Sequence, residues 1–181
     1  FRLVGSEMCI RDRIKITLKD RALINKDLIG FVGATWTILV YMLNRESPKN
    51  NLDKNIFNHE YLEELISKII YTQKLHIKKQ VESGATIIQI FDSWAGLLDD
   101  DKKNKYIYKP TKEIVEFTKS LGVEVICFPR SIKSYKDFCE VVKPSAINID
   151  YDVDPYKISK EINLPIQGGM DPKCLLLDKD D

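Results

Sequence analysis

The chain has 181 residues, 44% hydrophobic and 30% charged, with 28 basic against 27 acidic side chains. This is the composition of an ordinary globular protein. Its near-neutral charge argues against nucleic acid and anionic membrane surfaces as partners, so any anion must be held by locally placed groups.

The first thirteen residues, FRLVGSEMCIRDR, carry no initiating Met and resemble translated adapter sequence of the kind that contaminates sequencing libraries. They are set aside as a non-native segment, 1–13, which leaves one domain over 14–181 and 25 charges of each sign. The remaining cysteines, Cys127, Cys139 and Cys174, form no CxxC pair. They give no support to a disulfide framework or a zinc site and fit a reducing cytoplasm.

Leu28–Val32 is a short apolar run that predicts a strand, and Thr35–Leu43 a helix after a Gly-Phe-Val-Gly turn. The uncharged stretch from Leu28 to Leu43 is shorter than the roughly 18–20 residues of a membrane span, and Gly30 and Gly33 interrupt it. Lys49–Lys54 reads as a charged loop. Tyr61–Val81 places Leu62, Leu65, Ile66, Ile69 and Ile70 on one helical face, closed by Gly84. Thr86–Phe91 is a β-branched, apolar strand, followed by a second charged loop at Asp99–Lys105. Then come a helix over Thr111–Leu121, a strand over Val123–Phe128, a helix over Ser131–Val142 and a strand over Ala146–Ile149. Pro155–Ile162 predicts a short helix and Leu164–Gln167 a last strand. Strands alternating with helices predict βαβ units and a parallel sheet, an α/β fold. Four such units amount to half of a (β/α)8 barrel, which needs about 250 residues.

Polar residues recur where the strands end: IGFVGATWT from Ile29, FDSWAG from Phe91, FPR from Phe128, DYDVDP from Asp150 and QGGMDP from Gln167. In a parallel barrel such ends line the mouth of the active site. Asp150, Asp152 and Asp154 alternate in direction if extended and do not converge on a metal, so no metal site is expected. His59 and His76 lie outside all five blocks and read as helix-surface residues.

In this order the five blocks resemble those of the uroporphyrinogen decarboxylase family. The resemblance implies a partial TIM-like barrel and the removal of carbon dioxide from the four acetates of uroporphyrinogen III, giving coproporphyrinogen III in haem and chlorophyll synthesis. It further implies no cofactor, a cytoplasmic enzyme and a homodimer when full length. Carried over by motif position, Phe31 is a pocket wall, Tyr41 a catalytic and substrate-binding hydroxyl, and Ser93 a donor to an acetate or propionate. Arg130 is a weaker candidate for binding a carboxylate through its bidentate guanidinium. The chain departs from the family pattern at Thr35, where proline is usual, and at Ser131, where glycine is usual. The family's arginine-rich motif, its aspartate facing the pyrroles and its late histidine lie outside this sequence, so the chain alone is expected to be inactive. Two other readings compete. One is a corrinoid-dependent methyltransferase of the same barrel, which would need a zinc–thiolate site. The other is a non-catalytic product or binding module using Trp36 and Trp94.

Overall fold

The computed structural model describes residues 12, 14–19, 25–44, 47–48, 52 and 54–176. The expectation for Phe1–Arg13 therefore falls, Asp12 apart, outside the described residues. Five strands alternate with helices: β1 (Ile29–Gly33), α1 (Thr35–Asn44), α2 (Leu62–Glu82), β2 (Ile87–Asp92), α3 (Asp100–Lys103), α4 (Lys109–Ser120), β3 (Glu124–Pro129), α5 (Tyr135–Val142), β4 (Ala146–Ile149), α6 (Pro155–Glu161) and β5 (Ile166–Gly168). All strand pairs are parallel and the sheet order is β1-β2-β3-β4-β5. A doubly wound sheet reverses its order at a switch point, whereas an unreversed order with right-handed crossovers lays every helix on one face. This is the sheet of a partial (β/α)8 barrel.

The two faces differ as that geometry requires. Val32, Ile88, Ile90, Val125, Cys127, Ile147 and Ile149 face the helices and are buried in one continuous core with Trp36, Leu39, Ile77, Ile114 and Phe138. On the opposite face Ile29 and Phe31 are 42% and 65% exposed. That second face is the concave, barrel-interior side. Two glutamines of α2 fix β1 against the helical layer. The Gln80 amide accepts from Phe31 N–H and donates to Phe31 C=O, both at 3.0 Å, and Gln73 donates to Gly33 C=O at 2.6 Å. Gly30 makes the first contact possible, because a Cβ there would stand 2.5 Å from Gln80 Oε1. Beside β1, between α1 and α2, lies an apolar groove of about 550 Å³ lined by Val32, Ile38, Met42, Leu65 and Ile69 among others.

The segment Asp99–Lys105, expected as a loop, is helical. It forms α3, passes through a π-helical turn at Asn104–Tyr108 and runs on into α4. Two lysines explain its order: Lys103 and Lys133 each lie 2.6 Å from Asp100, and they hold that carboxyl down at about 2. The buried Ile107 then anchors the turn in the core. The helix expected from Ser131 starts later, at Tyr135. Ser131 has φ +58°, and Ser134 caps the helix by accepting from Asp137 N–H at 3.1 Å.

Candidate active site

All five sequence blocks lie at the C-terminal ends of the strands, on one rim of the sheet. Three phenylalanines form a ladder across the concave face. Phe31 of β1 meets Phe91 of β2 edge-on at 6.2 Å, and Phe91 meets Phe128 of β3 at the same distance. Period-two alternation puts them there, since Ile88, Ile90 and Cys127 take the opposite, helix-facing side. One layer deeper the face turns polar: Gln167 Oε1 accepts from Gln89 Nε2 at 3.1 Å and from Asn148 Nδ2 at 3.3 Å.

A cavity of about 430 Å³ opens at the head of this face, lined by Phe31, Gly33, Thr37, Phe91 and Ser93. Two of the expected residues, Phe31 and Ser93, thus meet on one wall. Ser93 does not cap the short 3-10 turn that follows, since Trp94 holds that position. Tyr41 stands apart from the cavity lining. It is 47% exposed on the rim, its ring 6.0 Å from Trp94 and nearly perpendicular to it. Arg130 is exposed, and its main chain staples the rim: its N–H donates to Asp92 C=O and its C=O accepts from Gly96 N–H, both at 3.0 Å. His59 and His76 are half-buried, His76 on α2 and His59 just before it.

Behind the cavity wall lies a group that motif reading did not single out. Asp92 ends β2 and is 3% exposed. Its Oδ1 accepts from Thr37 Oγ1 at 2.7 Å, while Oδ2 has no partner among the described residues. Burial pushes its carboxyl up to about 7, against the opposing Thr37 hydroxyl and Trp94 backbone N–H. The Asp-Ser-Trp signal was legible. Which neighbour in it turns inward depends on the pleat, and the pleat depends on register.

The other motif residues are architectural. Asp150 Oδ2 accepts from Ser131 N–H at 2.7 Å and from Tyr135 Oη at 2.8 Å, and Asp154 caps α6 by accepting from Tyr156 N–H at 2.9 Å. Among the described residues no group of three or more His, Cys, Asp or Glu could hold a metal ion. Cys127, the thiol that a zinc-dependent methyl transfer would require, is buried on the helix side, and burial drives its pKa far above the thiolate range. Trp36 is not a docking surface either. It is 1% exposed, stacked on Phe57 and donating from Nε1 to Trp94 C=O at 3.0 Å. Thr35 explains its own departure from the motif: it takes the first helical position, where proline would fit, and its hydroxyl donates instead to Gln73 Oε1 at 2.7 Å. Among the described residues no helix is long and apolar enough to cross a membrane.

Comparison with known proteins agrees with this geometry. A family described as "Uroporphyrinogen decarboxylase (URO-D)" matches residues 9–181. A uroporphyrinogen decarboxylase of Wolbachia pipientis wMel is 39% identical over 158 residues, covering 85% of this chain and 46% of that protein. One from Campylobacter jejuni is 35% identical over 179 residues, covering 94% of this chain and 51% of the relative. The chain therefore spans about half the length of the curated relatives it matches. Among solved structures, a methyltransferase from Methanosarcina mazei superposes with a TM-score of 0.57 at 16% identity, covering 88% of this chain and 57% of that one. At that identity the likeness is one of fold alone.

Proposed function

The chain belongs to the uroporphyrinogen decarboxylase family, and from that premise we propose that it is the central part of an enzyme that decarboxylates the acetate side chains of uroporphyrinogen III. The observation that carries this reading is the cavity itself, which combines an aromatic wall with a hydroxyl at the barrel mouth. A reduced tetrapyrrole is a set of apolar rings ringed by carboxylates. Its recognition needs flat apolar contact together with hydrogen bonds to anions. Phe31, Phe91 and Phe128 supply the first, over a span that one side chain could not cover. Ser93 supplies a donor at the cavity wall. Tyr41 and Arg130, exposed on the rim, meet carboxylates at the outer edge of the macrocycle.

Loss of carbon dioxide from a pyrrole acetate requires protonation of the ring carbon, and positive charge develops on the pyrrole. Preorganised anions and dipoles lower that barrier. The groups described here bind and orient the substrate. The charge-stabilising groups belong to the remainder of a cytoplasmic, homodimeric full-length enzyme, so this chain alone is expected to release no carbon dioxide. The test is coproporphyrinogen formation from uroporphyrinogen III by the full-length protein, compared with Ser93→Ala and Tyr41→Phe. Turnover that falls at least tenfold in both variants supports the reading. A full-length protein that leaves uroporphyrinogen unchanged overturns it.

A further inference from the structure

The geometry points to Thr37 as a further ligand-binding residue of this cavity, with Asp92 behind it acting as a positioning residue: a protonated Asp92 turns the Thr37 hydroxyl hydrogen toward a ligand carboxylate, and an ionised Asp92 turns it back. The inference rests on the reading of the cavity as a site for a carboxylate-bearing tetrapyrrole. Among the described residues Thr37 joins the two compartments. It lines the cavity with Phe31, Phe91 and Ser93, and it holds Asp92 Oδ1 at 2.7 Å on the sheet's other side.

A threonine hydroxyl has one hydrogen and two lone pairs. When Asp92 is a carboxylate, that hydrogen is committed to Oδ1 and only lone pairs face the cavity. A ligand carboxylate then meets an acceptor, with a buried negative charge behind it. When Asp92 carries a proton, the acid donates to Thr37 Oγ1 and releases the hydroxyl hydrogen toward the ligand. Asp92 is well placed to exist in both forms. An ionised buried carboxylate needs several donors, yet Oδ2 has none among the described residues. The groups facing it are Thr37 from α1, the Trp94 backbone N–H from its own loop and the Cys127 thiol from β3, which burial keeps neutral. None of these is a cation. Burial prevails and the carboxyl titrates at about 7. The acetates and propionates of a tetrapyrrole are ionised above about pH 5. Binding should therefore be tightest between about 5 and about 7 and weaken as Asp92 ionises.

The experiment titrates uroporphyrin, the fluorescent oxidised relative of the proposed substrate, into the full-length enzyme at about pH 6 and about pH 8.5, on either side of the Asp92 midpoint. Wild type should bind about tenfold tighter at the lower pH, the worth of one hydrogen bond to a charged group. Thr37→Val should bind weakly at both and lose the step, and Thr37→Ser should restore it. Asp92→Asn donates permanently to Oγ1 and should bind tightly at both. If that variant does not fold, the valine and serine pair still decides. A flat wild-type profile overturns the proposal, as does a Thr37→Val protein that keeps the step. Absence of carbon dioxide release with the step intact defeats the decarboxylase reading alone. Release with binding indifferent to Thr37→Val defeats this one alone. No uroporphyrin binding at either pH together with no carbon dioxide release defeats both.

Discussion

Asp92 and Asp150 occupy equivalent places, at or just beyond the C-terminal end of a strand and inside a motif block, yet they are built for opposite purposes. Asp150 is half-buried and accepts two short hydrogen bonds at one oxygen, from Ser131 N–H and Tyr135 Oη. Asp92 is sealed from water, holds one hydroxyl at Oδ1 and leaves Oδ2 bare among the described residues. A carboxylate given donors becomes a structural pin. One sealed from water, with an oxygen left bare, becomes a proton store. Position in the barrel alone does not assign the role; burial does.

The largest expected effect concerns the proton store. The folded carboxyl of Asp92 titrates at about 7, above its ordinary 3.8, so the native state binds that proton more tightly than the unfolded chain does. Its contribution to stability is full at low pH and is lost as pH rises from about 4 through about 7, by a few kcal/mol. Urea unfolding of wild type and Asp92→Asn across that window should show the slope in the first and not in the second. Equal slopes would show that burial does not hold a proton on Asp92.

Removing the pin should cost nearly as much. Asp150→Ala removes the acceptor of the buried Tyr135 O–H, leaving that oxygen only the backbone N–H of residue 150, and frees the Ser131 loop, an expected loss of about 2–3 kcal/mol. A loss below half a kcal/mol would show that the pin carries nothing. Next is Gly96→Ala. The added Cβ would sit 2.5 Å from Ser131 Cβ and 2.7 Å from Ser131 C=O, so backbone must move, for about 1–3 kcal/mol. A melting temperature equal to wild type would rule out that close approach. The smallest effect has the opposite sign. Ser131 holds φ +58°, a conformation that glycine adopts freely, so Ser131→Gly should stabilise by about 0.5–1 kcal/mol.

Most of the element order was legible in the sequence because apolar period and helix-stop signals act locally. The strand expected over Thr86–Phe91 forms over Ile87–Asp92, and the helix expected over Tyr61–Val81 forms over Leu62–Glu82. Asp99–Lys105 failed because DDDKKNK has no apolar period. Its helix is ordered by a lysine from beyond β3 and by an isoleucine buried from outside the run, and neither signal is local. Of the site, Phe31 and Ser93 were legible by motif, whereas Phe91, Phe128, Thr37 and Asp92 were not assigned. Each belongs to a block that could be read. Its role depended on the side of the sheet to which the pleat and register turn it.

A parallel α/β chain, the order of its units and the family to which its blocks belong follow from periodicity and from motifs contiguous along the chain. The tertiary structure decided what those blocks do. It assembled an aromatic wall from three strands, buried Trp36 and Cys127 in the core, and made Asp150 a pin and Asp92 a buried acid. The physical reason is that solvation and hydrogen-bond count belong to a position in space, and residues distant in the chain supply them.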